Sequence, residues 1–173
     1  MTARPYALVR ARILRHAPRL FVRLYTPDAR ELGELGEELA VRALLRAGCE
    51  ILGRRVRTRF AEVDIVALEG RTLVCVEVKT ARVAPIPIPR GSGLDPLPPP
   101  FRRGGRLGAK QTARLLRAAR ELARKPPRAA RVDLVEVTWN TRSNDFDVTH
   151  SRGSCADPET RSGSQPRGAG FAD

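Results

Sequence analysis

Two adjacent segments in which every second residue is aliphatic constrain the fold of this chain more than any other feature. Residues 62–68 and 72–79 both show this alternation, and the dipeptide Glu69-Gly70 stands between them. Strict alternation is typical of β-strands that bury one face, and a short polar break between two such strands predicts a hairpin. The hairpin has a predicted apolar face, formed by Val63, Ile65, Ala67, Val74, Val76 and Val78.

The register of this hairpin determines where its polar side chains lie. A two-residue turn at Glu69-Gly70 predicts that Asp64 is paired with Cys75. Because paired residues share a face and side chains alternate along each strand, Asp64, Glu77 and Lys79 should project from the side opposite the apolar face. A slip of one residue would bury Asp64 among the valines, so the apolar pattern fixes the register and gathers the polar groups.

Apolar periodicity outside the hairpin predicts a single α/β domain over residues 31–150. The order of elements, with the hairpin at its centre, predicts a mixed central β-sheet flanked by helices. Helices are expected where aliphatic residues recur at helical spacing, and strands where they alternate. We predict helices over 31–47 and 107–124, and strands over 49–57, 131–138 and 144–149.

Three segments are expected to differ from a packed domain. Residues 1–30 are rich in arginine and broken by proline, which predicts a flexible basic arm. A membrane-surface segment, a disordered nucleic-acid-binding arm and an upstream extension from a wrongly chosen start codon all fit this arm. Residues 83–106 are rich in proline and glycine and predict a long mobile loop. Residues 151–173 are dominated by Gly, Ser, Pro and Arg and predict a disordered tail.

The charge of the chain favours a polyanionic partner. Thirty-two Lys and Arg residues against nineteen Asp and Glu residues give a formal net charge of +13. Residues 81–132 carry thirteen basic and two acidic groups, whereas residues 31–80 carry eight basic and nine acidic groups. Acidic residues concentrated beside basic segments are suited to a site where carboxylates hold a divalent cation and basic groups bind the neighbouring phosphates. Nucleic acid is therefore the first expected partner and an anionic membrane surface the second, and the alternative is a merely solvated basic surface.

Composition argues against several other classes of protein. The three cysteines form no CxxC pair and the two histidines are isolated, which disfavours structural zinc and a disulfide framework. No apolar run approaches the ~18 residues of a spanning helix, and no signal-peptide core is evident. We therefore expect a cytoplasmic protein without stable membrane insertion.

The polar side of the predicted hairpin carries groups that suit phosphodiester hydrolysis. Asp64 and Glu77 offer carboxylate oxygens to Mg²⁺ or Mn²⁺, and the Val78 carbonyl lies between Glu77 and Lys79 as a further ligand. Lys79 can orient or deprotonate a water for attack on phosphorus. Glu37 lies at the margin of the buried arc of the first predicted helix and is a candidate outer or third ligand. The alternative is a surface salt-bridge cluster on an exposed sheet face.

The arrangement Glu37 … Asp64 … Glu77-Val78-Lys79 resembles the PD-(D/E)xK signature of nucleases with a restriction-endonuclease-like fold. More narrowly, residues 31–138 resemble the YraN-like family of small bacterial proteins. The resemblance implies a nuclease-like α/β core, a metal-dependent nuclease activity and a layout similar to that of Holliday-junction resolvases. It is carried by residues 33–37 (GELGE), 61–67 (AEVDIVA), 74–80 (VCVEVKT), 110–111 (KQ) and 132–135 (VDLV).

The chain departs from the pattern of that family at three places. Ala61 stands where the family usually has Gly, and Arg55 stands where Asn is common. The insert at residues 83–106 is longer than usual. Neither substituted residue is a proposed ligand, whereas the insert leaves open how substrate enters the site.

Polar residues in and before the second predicted helix are candidate nucleic-acid contacts. Lys110 and Gln111 open that helix close to where a phosphate is expected, and the alternative for Lys110 is a solvated lysine of the first turn. The alternative for the candidate arginines is a solubilising surface. We expect DNA or structured nucleic acid as partner, and a homodimer by analogy with nucleases that cut duplexes or junctions. A catalytically idle nucleic-acid-binding module of the same fold is the alternative function. The candidate arginines are Arg102, Arg103, Arg106, Arg114 and Arg117.

Overall fold

A five-stranded mixed β-sheet lies at the centre of the computed structural model, which describes residues 5–83, 107–124, 126 and 128–155. The helices are α1 (Pro5–His16), α2 (Pro18–Leu24), α3 (Ala29–Arg46) and α4 (Ala109–Leu122). The strands are β1 (Glu50–Arg57), β2 (Glu62–Glu69), β3 (Thr72–Val83), β4 (Ala130–Asn140) and β5 (Asp145–Cys155).

The strand order in the sheet is β1-β2-β3-β4-β5. The β3–β4 pair is parallel, whereas the other three neighbouring pairs are antiparallel. Parallel strands need a long crossover connection, and α4 lies in the segment that joins β3 to β4. The predicted α/β fold with a mixed sheet flanked by helices is confirmed, and the arrangement is compatible with a restriction-endonuclease-like core.

The β2–β3 hairpin has a different register from the one predicted. Its turn is Gly70-Arg71, and Val66 is paired with Cys75. The predicted pairing of Asp64 with Cys75 is therefore wrong by two residues. Gly70 has a φ of 58°, and hairpin turns that need a positive φ favour glycine. A shift of two residues preserves which residues of a regular strand share a face.

Both faces of the sheet are covered, so the hairpin has two buried sides. The cluster on the α3 side includes Ile65, Val74 and the helix residue Leu35. The cluster on the α4 side includes Cys75 and Leu115. The expectation of one apolar and one polar face is incomplete because α4 folds over the second face.

One residue of the predicted apolar face packs on the opposite side. Val63 belongs to the α4-side cluster, whereas Ile65 belongs to the α3-side cluster. The neighbouring strand has an unusual backbone at the same level. Arg54 is paired with Ile65 and Val56 is paired with Val63. Arg55 lies between them and has a φ of 49°. A left-handed residue inside a strand interrupts the regular alternation of side chains, as it does in a β-bulge.

Residues 5–24 form two helices that pack on the α3 side of the sheet, so the expected flexible arm is wrong for this range. Phe21 is fully buried in the α3-side cluster. The Arg10 guanidinium donates two hydrogen bonds of 2.8 Å to the Glu31 carboxylate of α3. Pro18 does not disrupt this arrangement because it lies in the first turn of α2, where a missing N–H is tolerated.

Two predicted boundaries also change. β3 includes Val83, which was predicted to begin the loop. β5 extends to Cys155, so the first five residues of the predicted tail belong to a strand. Residues 84–106 and 156–173, which carry the rest of those two predictions, lie outside the described residues, as do residues 1–4. Within the described ranges, no helix is long and apolar enough to cross a membrane.

Candidate active site

The candidate site lies where β2 and β3 separate. The ladder between these strands runs from the turn to the pair Ile65–Val76, and β3 then continues beside β4. Asp64 adjoins that last pair, and its Oδ2 accepts a hydrogen bond of 2.8 Å from the backbone N–H of Val78. The carboxylate therefore occupies the opening between the strands and is tied to the segment that carries Glu77.

Glu77 is buried and is held by two donors. Its Oε1 accepts hydrogen bonds of 2.6 Å from Lys79 Nζ and from Gln111 Nε2 of α4. The side chain of Glu77 is 9% exposed and that of Lys79 is 42% exposed, so the ammonium reaches solvent while the carboxylate is enclosed. The structure thus brings Glu77 and Lys79 into contact and connects the start of α4 to both.

Negative charge accumulates around Asp64. Burial raises the pKa of Asp64 to about 6, and the charges of Glu77 and Glu37 act in the same direction. The hydrogen bond from Val78 and the positive charge of Lys79 act against this shift. A pocket of about 390 Å³ is lined by all three carboxylates. A cation in this pocket would reduce the repulsion between them.

Glu37 lines the pocket from α3 but is already paired with an arginine. Arg55 Nη2 lies 2.8 Å from Glu37 Oε1, and Arg55 Nε lies 3.2 Å from each oxygen of the same carboxylate. Hydrogen bonding to Glu37 raises the pKa of Arg55. Among the residues that the structure describes, no three Asp, Glu, His or Cys side chains are grouped so that they could hold a metal ion. In the described structure, the expected convergence of three carboxylates on one cation is therefore not formed, and Glu37 is paired with Arg55 instead.

Comparison with known proteins decides the family. The model of the uncharacterised protein family UPF0102 matches residues 36–137. The chain belongs to this family. The predicted YraN-like membership is thereby confirmed, and the matched range includes Glu37, Asp64, Glu77 and Lys79.

Individual UPF0102 proteins align with this chain over different lengths. One from Parafrankia sp. strain EAN1pec is 40% identical over 129 residues, which is 73% of this chain and 97% of that protein. One from Acidothermus cellulolyticus is 40% identical over 124 residues, or 71% and 83% of the two chains. One from Caldicellulosiruptor saccharolyticus is 58% identical over 55 residues, or 32% of this chain and 47% of that protein.

The candidate nucleic-acid contacts of this UPF0102 chain occupy different environments. Lys110 and Arg117 are exposed on α4. Arg114 is also exposed, and its Nε donates a hydrogen bond of 3.0 Å to the carbonyl of Phe60. Gln111 is partly buried, and its Nε2 donates a hydrogen bond to the buried Glu77. The other three candidates lie outside the described residues: Arg102, Arg103 and Arg106.

Two contacts of the UPF0102 site were not predicted. Arg55 is paired with Glu37 and has a left-handed backbone, a conformation that is uncommon for residues other than glycine. Gly36 packs so closely on Thr80 that a Cβ at Gly36 would overlap Thr80 Oγ1. The local sequence does not identify Thr80 as the partner of Gly36.

Proposed function

We propose that this UPF0102 protein is a metal-dependent nuclease that hydrolyses phosphodiester bonds of DNA or structured nucleic acid. The observation that supports the proposal most directly is the position of Asp64, Glu77 and Lys79 at the opening between β2 and β3. Two carboxylates and an ammonium are the groups needed to hold a hard cation and to orient a water. The start of α4, with its exposed basic residues, adjoins this opening because Gln111 reaches Glu77.

The donor set fits Mg²⁺ or Mn²⁺. Both ions prefer carboxylate and carbonyl oxygens, and Asp64, Glu77 and Val78 line one pocket. Burial raises the pKa of Asp64 to about 6 and so disfavours its charged form, which a bound cation would favour. A bound cation would supply electrostatic stabilisation of the charge that develops on the phosphate oxygens.

Lys79 is the residue that orients or deprotonates the attacking water in this proposal. Glu77 holds its Nζ at 2.6 Å, while much of the side chain remains open to solvent. Lys110 and Arg117 on α4 are exposed and would bind backbone phosphates. Such contacts position a strand without reading its sequence.

A catalytically idle nucleic-acid-binding module is the second candidate function. Glu77 already accepts two hydrogen bonds, and Glu37 already forms an ion pair with Arg55. Carboxylates with these partners compete poorly for a cation. The basic residues of α4 would then bind nucleic acid without cleavage.

Cleavage assays distinguish the two functions. The protein is incubated with labelled duplex, single-stranded and branched DNA in the presence of Mg²⁺, Mn²⁺ or a chelator. A nuclease cleaves at least one substrate with metal and none with chelator. Binding that weakens steeply with salt, without metal-dependent cleavage, would favour the idle module.

Substitutions then test the individual roles. A general acid or base contributes about 10²–10⁴-fold to a rate, so Lys79→Ala should lower the cleavage rate by at least about 10²-fold. Asp64→Ala should abolish metal-dependent cleavage because it removes a ligand. Glu50→Ala is the matched control, since Glu50 is an exposed carboxylate of β1 that does not line the pocket. Cleavage by the Asp64 or Lys79 variant at the wild-type rate would refute that residue's role.

A further inference from the structure

Arg55 lies in β1 at the level of Asp64 in β2. The residues before and after Arg55 are paired with the residues after and before Asp64. The side chain of Arg55 extends to α3, where its Nη2 donates a hydrogen bond of 2.8 Å to Glu37 Oε1. Glu37 in turn lines the pocket that contains Asp64. Arg55 is therefore joined to the candidate site through a carboxylate of its pocket.

The backbone of Arg55 is unusual for a residue inside a strand. Its φ of 49° is left-handed, a conformation that residues other than glycine adopt rarely and at a cost in free energy. Such residues persist where the surrounding structure holds them, and they are concentrated at functional sites. The left-handed backbone therefore indicates that the position of this side chain matters to the protein.

The ion pair between Arg55 and Glu37 is open to solvent on the arginine side. The side chain of Arg55 is 55% exposed, whereas that of Glu37 is 19% exposed. Exposed ion pairs contribute little to stability, so each partner can exchange the other for a ligand of opposite charge at small cost. Arg55 can bind an anion that arrives from solvent, and Glu37 can bind a cation in the pocket that it lines.

A backbone phosphate is an anion that suits the geometry of Arg55. A guanidinium forms paired hydrogen bonds with phosphate oxygens, as it does with a carboxylate. Nε and Nη2 of Arg55 lie 3.2 Å and 2.8 Å from Glu37 Oε1, so the donors of the guanidinium are already directed at an anion beside the pocket. Glu37 thus holds Arg55 in the way that a phosphate of a bound strand would.

The same ion pair keeps one carboxylate of the pocket from binding a cation. Glu37 lines the pocket together with Asp64 and Glu77. Within the described ranges, no three acidic, histidine or cysteine side chains are grouped so that they could hold a metal ion, and Glu37 is paired with Arg55. A Glu37 carboxylate released by Arg55 offers two oxygens of the kind that Mg²⁺ and Mn²⁺ prefer.

We propose that Arg55 binds a backbone phosphate of the nucleic acid, and that this exchange of partners frees Glu37 to join the cation site. The inference rests on the proposed function and adds a phosphate-binding residue to it. Because nucleic acid and the cation both break the same ion pair, binding of each favours binding of the other. The carboxylate set is then completed chiefly when nucleic acid is bound.

Two single substitutions test this exchange through binding alone. The Kd for Mn²⁺ is measured by calorimetry without DNA. The Kd for DNA is measured in chelator by anisotropy, with the tightest binder among labelled duplex, single-stranded and branched DNA. Arg55→Gln should bind Mn²⁺ about two- to fivefold more tightly and DNA more weakly, whereas Glu37→Gln should bind DNA about two- to fivefold more tightly and Mn²⁺ more weakly. A merely structural role would not move the two affinities in opposite directions.

The ion pair between Arg57 and Glu62 supplies a matched control. It joins the same two strands, both residues are exposed, and neither lines the pocket. Arg57→Gln and Glu62→Gln make the same changes in charge and should each change the Kd for Mn²⁺ by less than about twofold. In the Glu37→Gln background, Arg55→Gln should no longer tighten Mn²⁺ binding, because no carboxylate is left to release.

The outcomes separate this inference from the proposed function. The exchange is refuted if Arg55→Gln leaves either affinity unchanged, or if the control substitutions give the same shifts, since a general effect of charge would then be sufficient. Mn²⁺ binding that Asp64→Ala abolishes and Arg55→Gln leaves unchanged would overturn the exchange and keep the proposed cation site. If the wild type bound no Mn²⁺ or no DNA, the exchange and the proposed nuclease would both be wrong.

Discussion

Replacing Gly36 and, separately, Gly33 by alanine tests the close packing of α3 on β3 beside the candidate site. A Cβ at Gly36 would overlap Thr80 Oγ1 and would lie 2.9 Å from Thr80 Cβ, whereas a Cβ at Gly33 would meet nothing within 4 Å. Both glycines lie inside α3, so the substitutions share their effect on helix propensity and differ in packing. Rotation of the Thr80 side chain cannot remove the whole clash, because the backbone of β3 determines where its Cβ lies.

The expected changes in the free energy of unfolding follow from helix propensity and from packing. Alanine is favoured over glycine inside a helix by about 1 kcal/mol, so Gly33→Ala should raise the free energy of unfolding by that amount. Overpacking typically costs about 1–3 kcal/mol, and the clash with a backbone-determined Cβ places Gly36→Ala at the upper end, for a net loss of about 2 kcal/mol. The variants should then differ by about 3 kcal/mol, or roughly 6–12 °C in melting temperature for a chain of this size.

Urea unfolding followed by circular dichroism measures these free energies. Thr80→Ala in the Gly36→Ala background removes the hydroxyl and methyl contacts and should recover part of the lost stability. Equal stabilisation by both single substitutions would refute the close contact. The close contact would also be refuted if Gly36→Ala lowered the free energy of unfolding and adding Thr80→Ala recovered none of that loss.

Three further predictions concern the polar groups of the site. Because the pKa of Asp64 is raised from 3.8 to about 6, its contribution to the free energy of unfolding is present below pH 3.8 and is lost as the pH rises through about 6. Between pH 3.8 and about 6, the free energy of unfolding measured with urea should therefore decline less in Asp64→Asn than in the wild type. Arg55→Gln should lower the Kd for Mn²⁺ several-fold in calorimetric titrations by freeing Glu37, and should change the free energy of unfolding by less than about 1 kcal/mol because Arg55 is exposed. Gln111→Leu leaves the buried Glu77 with one donor fewer and should lower the free energy of unfolding by about 1–3 kcal/mol.

Each of these predictions has a contradicting outcome. Parallel pH profiles for the wild type and Asp64→Asn would show that Asp64 titrates as an ordinary carboxyl. An unchanged Mn²⁺ affinity in Arg55→Gln would remove Glu37 from the ligand set. The control for Gln111→Leu is Lys110→Gln, at the exposed neighbouring residue, which should change the free energy of unfolding by less than about 0.5 kcal/mol. If Gln111→Leu and Lys110→Gln had equal effects, the hydrogen bond from Gln111 to Glu77 would contribute nothing to stability.

The hairpin illustrates what a periodic pattern can predict. Alternation placed Glu77 and Lys79 on one side of a strand, since residues two apart share a face. The same pattern could not decide between registers that differ by two residues, because such a shift leaves every apolar residue on the same side. The turn decided the register, through the positive φ of Gly70.

The N-terminal helices illustrate a different limit. Prolines interrupt the helical pattern of residues 1–30, so local signals favour an arm. Phe21 nevertheless packs into the α3-side cluster, and Arg10 is paired with Glu31 of α3. These helices are stabilised mainly by contacts with another element, which a local pattern does not contain.

The amino-acid sequence by itself determined the α/β class, the central hairpin and the pairing of an acid with a lysine two residues later. These properties depend on local spacing, and local spacing is read directly from the chain. Only the tertiary structure decided that Glu37 is held by Arg55, 18 residues away, and that Glu77 is held by Gln111, 34 residues away. Such contacts depend on how α3 and α4 pack on opposite faces of the sheet, so they follow from the summed burial of many side chains and not from any single segment.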